Sequence, residues 1–282
     1  MQYRTDLALE RAEELPLQEG IFMRRRGQAF NITEIEIDSD AHGAAIGRGK
    51  GRYLTLETAQ LHHAAPQLRA QAAELAEELR RFIPEGAVLI AGLGNAEITP
   101  DALGPMTAGR VLATRHLRQE LQENDPDTDF LRTLRPVSVL ANGVLGQTGI
   151  ETAELIAALR ETVKPACIIA IDALACSELS RLGTTVQISD AGISPGSGVQ
   201  NRRAELSEQT LGLPVIALGV PTVVDLHTII KDAGCQAADR LPNMMVTPRD
   251  IDKLLHHAAK LLALSLNLAL HPQLTFEDAE AI

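Results

Sequence analysis

Two aspartates stand where an α/β protein presents reactive groups. Asp172 directly follows the apolar run 167–171 (CIIAI), at the carboxyl end of what reads as a fully buried strand. A carboxylate there has to be paired, hydrogen-bonded or open to a cleft. Asp101 follows Thr99 and Pro100, a capping residue and a proline suited to a first helical position. The turn before it, Gly92, Leu93, Gly94 and Asn95, leaves the run 87–93 (AVLIAGL). If those two strands are neighbours, both carboxylates face one crevice. They would then share a proton, because two close negative charges ionise together only at high cost. One acid could take a proton from water while the other gives one to a leaving group. That is acid–base hydrolysis without a covalent intermediate. Each residue also has a plainer reading. Asp101 resembles the first-turn acid of Thr247, Pro248, Arg249 and Asp250, and Asp172 could cap a short helix.

Other candidates are weaker. Gly192, Ile193, Ser194, Pro195 and Gly196 imitate a nucleophile elbow, but Pro195 has no N–H to give to an oxyanion. Gly92 and Gly94 are followed by Glu97 where a dinucleotide fingerprint needs Gly or Ala. The stretch 47–52 (GRGKGR) lacks the P-loop pattern and opens no helix. His62 and His63 are neighbours, which on a helix diverge too far for a metal pair. Cys167, Cys176 and Cys235 form no CxxC pair, and the chain reads as reduced and cytoplasmic. Glycine-rich loops at 142–149 and 190–198 offer free backbone N–H groups to a ligand. Asn95, Asn142, Ser194, Gly196 and Gly198 are the substrate-binding candidates on these loops.

The elements that must hold these residues follow from apolar patterning. Runs at 87–93, 137–141, 166–171, 184–188 and 214–220 are short, rich in Val and Ile, and mostly without polar alternation. Strands buried on both faces read this way. Helical stretches lie between them at 100–122, 149–163 and 250–270, with another at 59–82. The pattern predicts an α/β fold, a mostly parallel sheet flanked by helices. Residues 31–38 (NITEIEID) and 52–58 (RYLTLET) alternate with period two. They predict an added N-terminal β-hairpin region with a long mobile glycine-rich tip. The expected organisation is one domain over 1–282, with 1–58 as the β-rich elaboration and 59–282 as the core.

The whole chain has 282 residues and a formal net charge of −11. The length buries a core without disulfides or a structural metal. The acidic balance and the 2% aromatic content argue against a nucleic-acid surface. No apolar run reaches the ~18 residues of a membrane span. No cofactor is called for.

Beyond these local readings, the chain resembles the germination proteases of spore-forming bacteria. The likeness rests on spaced segments: 4–9 (RTDLAL), 34–37, 53–57, 92–105 (GLGNAEITPDALGP), 171–175 (IDALA), 181–195 (RLGTTVQISDAGISP), 205–210, 213–225 (LPVIALGVPTVVD) and 246–252 (VTPRDID). It implies an α/β fold like that of the hydrogenase maturation peptidases, and an atypical aspartic endopeptidase. Its catalytic aspartates fall in the T-P-D-A-L-G-P and I-D-A-L-A segments, here Asp101 and Asp172. It further implies a homotetramer in the spore core, made as a zymogen and active in germination. The implied substrates are small acid-soluble spore proteins, cut after Glu where a hydrophobic residue and then Ala follow. Only Met1, Gln2 and Tyr3 precede Arg4, and residues 1–20 hold no Glu–hydrophobic–Ala triplet. The family's usual propeptide cut is therefore not expected in this stretch. The alternative is a metal-dependent or metal-sensing peptidase of the maturation type, with His227 as the nearest third ligand. A scaffold that kept only the fold would predict damaged aspartate segments, and both are intact.

Overall fold

Val, Ile, Leu and Ala dominate the strands, where branched side chains pack on a pleated surface. The computed structural model describes residues 5–13, 19–59, 61, 65–117, 129–141, 143–196, 203–232 and 244–282. The strands are β1 (Ile21–Arg26), β2 (Asn31–Ile37), β3 (Gly51–Glu57), β4 (Val88–Gly92), β5 (Val137–Leu140), β6 (Cys167–Cys176), β7 (Thr185–Ser189), β8 (Val215–Asp225) and β9 (Met245–Val246). They make one sheet in the order β1-β2-β3-β7-β8-β6-β4-β5, with β9 on β8. Pairing is parallel within β5-β4-β6-β8 and antiparallel elsewhere. The N-terminal strands join this sheet through β3 and β7, so the α/β core and the β-rich region are continuous and the sheet is mixed.

Both faces are covered, which is why the central strands lack polar alternation. The helices that pack on the sheet and frame the cleft are α1 (Ala8–Glu13), α2 (Ala65–Arg80), α3 (Leu103–Ala108), α4 (Thr152–Val163) and α5 (Ile251–Leu270). Ile90, Ile169, Ile171, Ile216 and Leu218 pack with Leu75 and Leu79 of α2 and with Leu255 and Leu262 of α5. The alternate residues Leu89, Ala91, Ile168 and Ala170 pack on the other face with Ile156 of α4 and with Leu211. Each such Leu or Ile contributes about 1.5–3 kcal/mol when fully buried.

Three local expectations are corrected. The helix expected over 100–122 is instead a 3₁₀ turn, Thr99–Asp101, followed by α3. Gly104, Pro105 and Gly109 break up any longer run, and residues 118–122 lie outside the described residues. The strand expected to stop at Ile171 continues to Cys176, so Asp172 lies inside β6 and caps no helix. The tip of the N-terminal hairpin is not an open loop. It folds into a helical turn, Asp40–Gly43, and a 3₁₀ turn, Ala44–Ile46. Ser39 Oγ accepts from the His42 N–H, and Asp40 Oδ1 accepts from the Lys50 N–H. The strand β1 had no alternating signature, because three of its six residues are arginines.

Candidate active site

The cleft arises from a difference in strand length. β4 pairs with β6 only as far as Gly92, opposite Ile171. β6 runs on alongside β8 for five more residues. Asp172 is the first β6 residue past the end of β4. Period two places it on the face of Ile168 and Ala170, the side covered by α4. Asp172 is 5% exposed.

Asp101 reaches the same place by a tight return of the chain. Leu93 N–H donates to Ile171 O across the strand ends. Gly94 then turns with φ +102°, and a Cβ there would sit 2.1 Å from Asp101 O. Only glycine permits that approach. A Cβ on Gly104 would meet Leu93 O at 2.2 Å and Ile171 O at 2.4 Å, so α3 rests directly on the strand ends. The Thr222 hydroxyl donates to Pro100 O at 2.7 Å, tying the Thr99–Asp101 turn to β8. Thr222 is the residue skipped where the β6–β8 register shifts. The expected cap at Thr99 is absent: the turn starts from Ile98 with no side-chain cap. Instead Asp101 Oδ2 accepts from the Asn95 N–H at 2.7 Å.

The two carboxyl groups differ electrostatically. Burial pushes the Asp172 carboxyl well above the ordinary carboxylate range, and the charges of Asp101 and Asp6 push it further. The Ala173 N–H, at 2.9 Å from Oδ1, opposes this. Burial also raises Asp101, and the Asn95 N–H counteracts it. Asp172 therefore holds its proton the more firmly of the two.

A cavity of about 360 Å³ opens over the pair. Asp101 and Asp172 line it together with Asp6, Ser194, Gly196 and the first residues of α4. Of the loop candidates, Ser194 and Gly196 face this space. Asn95 supports Asp101 instead: its side-chain oxygen accepts from the Glu97 N–H and from Gln147 Nε2, each at 2.9 Å. Asn142 and Gly198 lie outside the described residues, as do Cys235, His62 and His63. His227 is beside Asp225, with Nδ1 3.9 Å from Oδ1. Among the described residues, no three His, Cys, Asp or Glu side chains converge as metal ligands.

Asp6 was not anticipated as a site residue. Its N–H donates to Ala175 O, and its Oδ2 accepts from the Ala175 N–H, each at 2.8 Å. Gln187 Nε2 donates to its carbonyl. The N-terminal segment thus occupies the β6 edge that β4 vacates. Nothing local in the sequence ties residue 6 to residue 175.

In an open α/β sheet the crevice at the carboxyl ends of the parallel strands is where ligands bind, and Asp172, Asp101 and Asp6 line this one. A model of the germination protease family matches residues 5–235, a span that includes both aspartates. The germination protease of Clostridium perfringens is 35% identical over 98% of this chain and 97% of its own length. That of Caldanaerobacter subterraneus is 38% identical over 98% and 96%. That of Bacillus cereus is 45% identical over 81% of this chain and 65% of its own length. Among solved structures, the NiFe hydrogenase maturation protease HycI from Thermococcus kodakarensis aligns with a TM-score of 0.37 and 19% identity, over 67% of this chain and 98% of that one. The chain belongs to the germination protease family, which makes it a protease of spore germination. Among the described residues, no helix is long and apolar enough to cross a membrane.

Proposed function

We propose that the protein is an endopeptidase that begins the breakdown of small acid-soluble spore proteins, using Asp101 and Asp172 to activate water. The observation that carries this reading is a buried carboxyl, Asp172, raised by burial and by the charge of Asp101 within one cleft. Asp101, raised less than Asp172 because the Asn95 N–H opposes its burial, takes a proton from water as the water oxygen attacks the scissile carbonyl carbon. Asp172, still protonated, gives its proton to the amide nitrogen as the C–N bond breaks. Cleavage after Glu and before a hydrophobic residue and assembly as a homotetramer belong to the same proposal. They rest on membership of the family.

The test incubates a purified small acid-soluble spore protein with the intact protein, D101N and D172N, and reads the products by mass spectrometry. Each variant should lose about 10²–10⁴-fold in turnover and keep its far-ultraviolet circular dichroism. Near-normal turnover by either variant removes that residue from the mechanism. Activity that survives exhaustive chelation disposes of the metal-dependent alternative, and loss of activity restored by a divalent ion would support it.

A further inference from the structure

The loops that follow β4 and β5 lie side by side, because these strands are parallel neighbours. In the second of them Gly143, Val144 and Leu145 line the aspartate cleft. Gln147, in the helical turn Leu145–Thr148, reaches instead to the loop after β4. The proposed chemistry leaves Gln147 without a role, yet its amide is engaged at both ends. Oε1 accepts from the Val144 N–H at 3.2 Å, and Nε2 donates to Asn95 Oδ1 at 2.9 Å. Gly143 makes room for this amide: its φ is +76°, and a Cβ there would lie 2.5 Å from Gln147 Oε1.

Across the gap, Asn95 Oδ1 also accepts the Glu97 N–H at 2.9 Å, which closes a turn over its own backbone. Two donors meet this atom, so it is the amide oxygen, with both lone pairs in use. The Asn95 backbone N–H donates to Asp101 Oδ2 at 2.7 Å, and among the described residues no other donor reaches that carboxylate. That N–H belongs to the peptide after Gly94. A glycine restrains the next peptide least of all residues. Keeping this N–H on the carboxylate therefore calls for a hold from outside the turn.

We infer that Gln147 is a positioning residue for Asp101: by pinning the Asn95 side chain from the neighbouring loop, it keeps the Asn95 N–H on Oδ2 and so fixes how the carboxylate faces the cleft. Its place in catalysis rests on the endopeptidase reading, in which Asp101 is the base. The loop that lines the cleft with Val144 and Leu145 thus also braces the base.

The first measurement needs no turnover. Carbon-13 NMR of protein labelled at the aspartate carboxyl carbons follows the titration of Asp101 in the intact protein and in Q147L, the signal being assigned by its loss in D101N. Gln147 is exposed, so its variants should fold. The Asn95 N–H favours the ionised carboxyl, so loosening it should move the Asp101 titration to higher pH in Q147L. The other charged side chains lining the cleft are Asp6, Glu151, Asp172 and Arg203, and Q147L alters none of them. An unchanged titration overturns the positioning role. The second measurement is turnover of a small acid-soluble spore protein. Q147E keeps the acceptor for the Val144 N–H and loses the donor to Asn95. Its kcat should fall about 10-fold, with KM within about 2-fold. Near-normal kcat in Q147E would confine Gln147 to capping its own turn. N95A removes the atom that Gln147 holds, so N95A combined with Q147L should match N95A alone within about 2-fold. Losses that multiply would mean that Gln147 acts by another route. If the Asp101 titration moves while the intact protein leaves the spore protein uncut, the positioning stands and the endopeptidase reading fails. If Q147L and Q147E cut it as fast as the intact protein and the titration does not move, the endopeptidase reading stands and the positioning fails.

Discussion

Glu10 and Asp172 are both almost sealed from solvent, at 2% and 5% exposure, yet they are treated in opposite ways. Glu10, on α1, accepts from Ser177 N–H at 2.7 Å, Ser177 Oγ at 2.6 Å and Glu178 N–H at 3.0 Å. Arg181 stands beside it and also pairs with Glu13, Glu57 and Glu178. Asp172 accepts one backbone N–H, and the charges that act on it are those of two other acids. The contrast distinguishes two uses of a buried carboxylate. A saturated one fastens an element, here α1 to the end of β6. An undersatisfied one keeps its proton close to exchange and can deliver it.

The sharpest way to break this contrast is to make Glu10 resemble Asp172. R181M removes the one cation shared by four carboxylates. Breaking a buried pair from one side costs about 3–5 kcal/mol. Glu13, Glu57 and Glu178 are each about a third or more exposed along their side chains, and water screens them, so the lower end is expected. Chemical denaturation at pH 7 measures the loss. A change below about 1 kcal/mol would mean that hydrogen bonds alone satisfy Glu10, and the contrast would lose its ionic half.

The next effect concerns pH. Burial and the neighbouring acids raise the Asp172 carboxyl in the folded protein, so the folded state holds this proton more tightly than the unfolded chain does. The stability that the proton contributes is complete below the ordinary aspartate range. It is lost as pH rises through the raised folded value. D172N carries no charge at any pH, so it should melt above the intact protein at alkaline pH, and the two should converge near pH 4. Each kcal/mol corresponds to about 2–4 °C in a chain of this size. Melting curves from pH 4 to pH 9 read the gap. A gap that stays constant with pH would mean that Asp172 is not held protonated by its surroundings.

Much of this arrangement was legible in the residues, because it follows from strand burial. The runs at 87–93 and 166–171 read as strands buried on both faces with an aspartate after each, and the fold makes them neighbours. What escaped was set by contacts distant in sequence. That β6 runs past Asp172 depends on β8 and the N-terminal segment flanking it, and a run such as ALAC is compatible with strand or helix. Asp6 reaches the cleft through Ala175, and its local sequence carries no sign of that. Arg48 was expected on a mobile hairpin tip because glycines flank it. In the fold the chain at Arg48 packs tightly against Gly43.

The smallest expected effect tests how Asp101 is aimed. Where Glu10 has three donors to fix it, Asp101 has, among the described residues, the single Asn95 N–H, and its turn is held to the sheet by the Thr222 hydroxyl. T222V keeps the shape of the side chain and removes the donor to Pro100 O. The stability cost should be about 1 kcal/mol, that of one net hydrogen bond. Turnover should respond more than stability does, because a carboxylate displaced by a fraction of an ångström loses its line to the water; a fall of about 10-fold in kcat is expected. KM should hold, since Thr222 acts on the turn that carries Asp101 through its bond to Pro100 O. T222S restores the hydroxyl and should restore kcat. If T222V keeps full turnover, the close packing at Gly94 and Gly104 is enough to place Asp101. The loosely satisfied acid would then be fixed by backbone shape alone, without the side-chain donors that Glu10 requires.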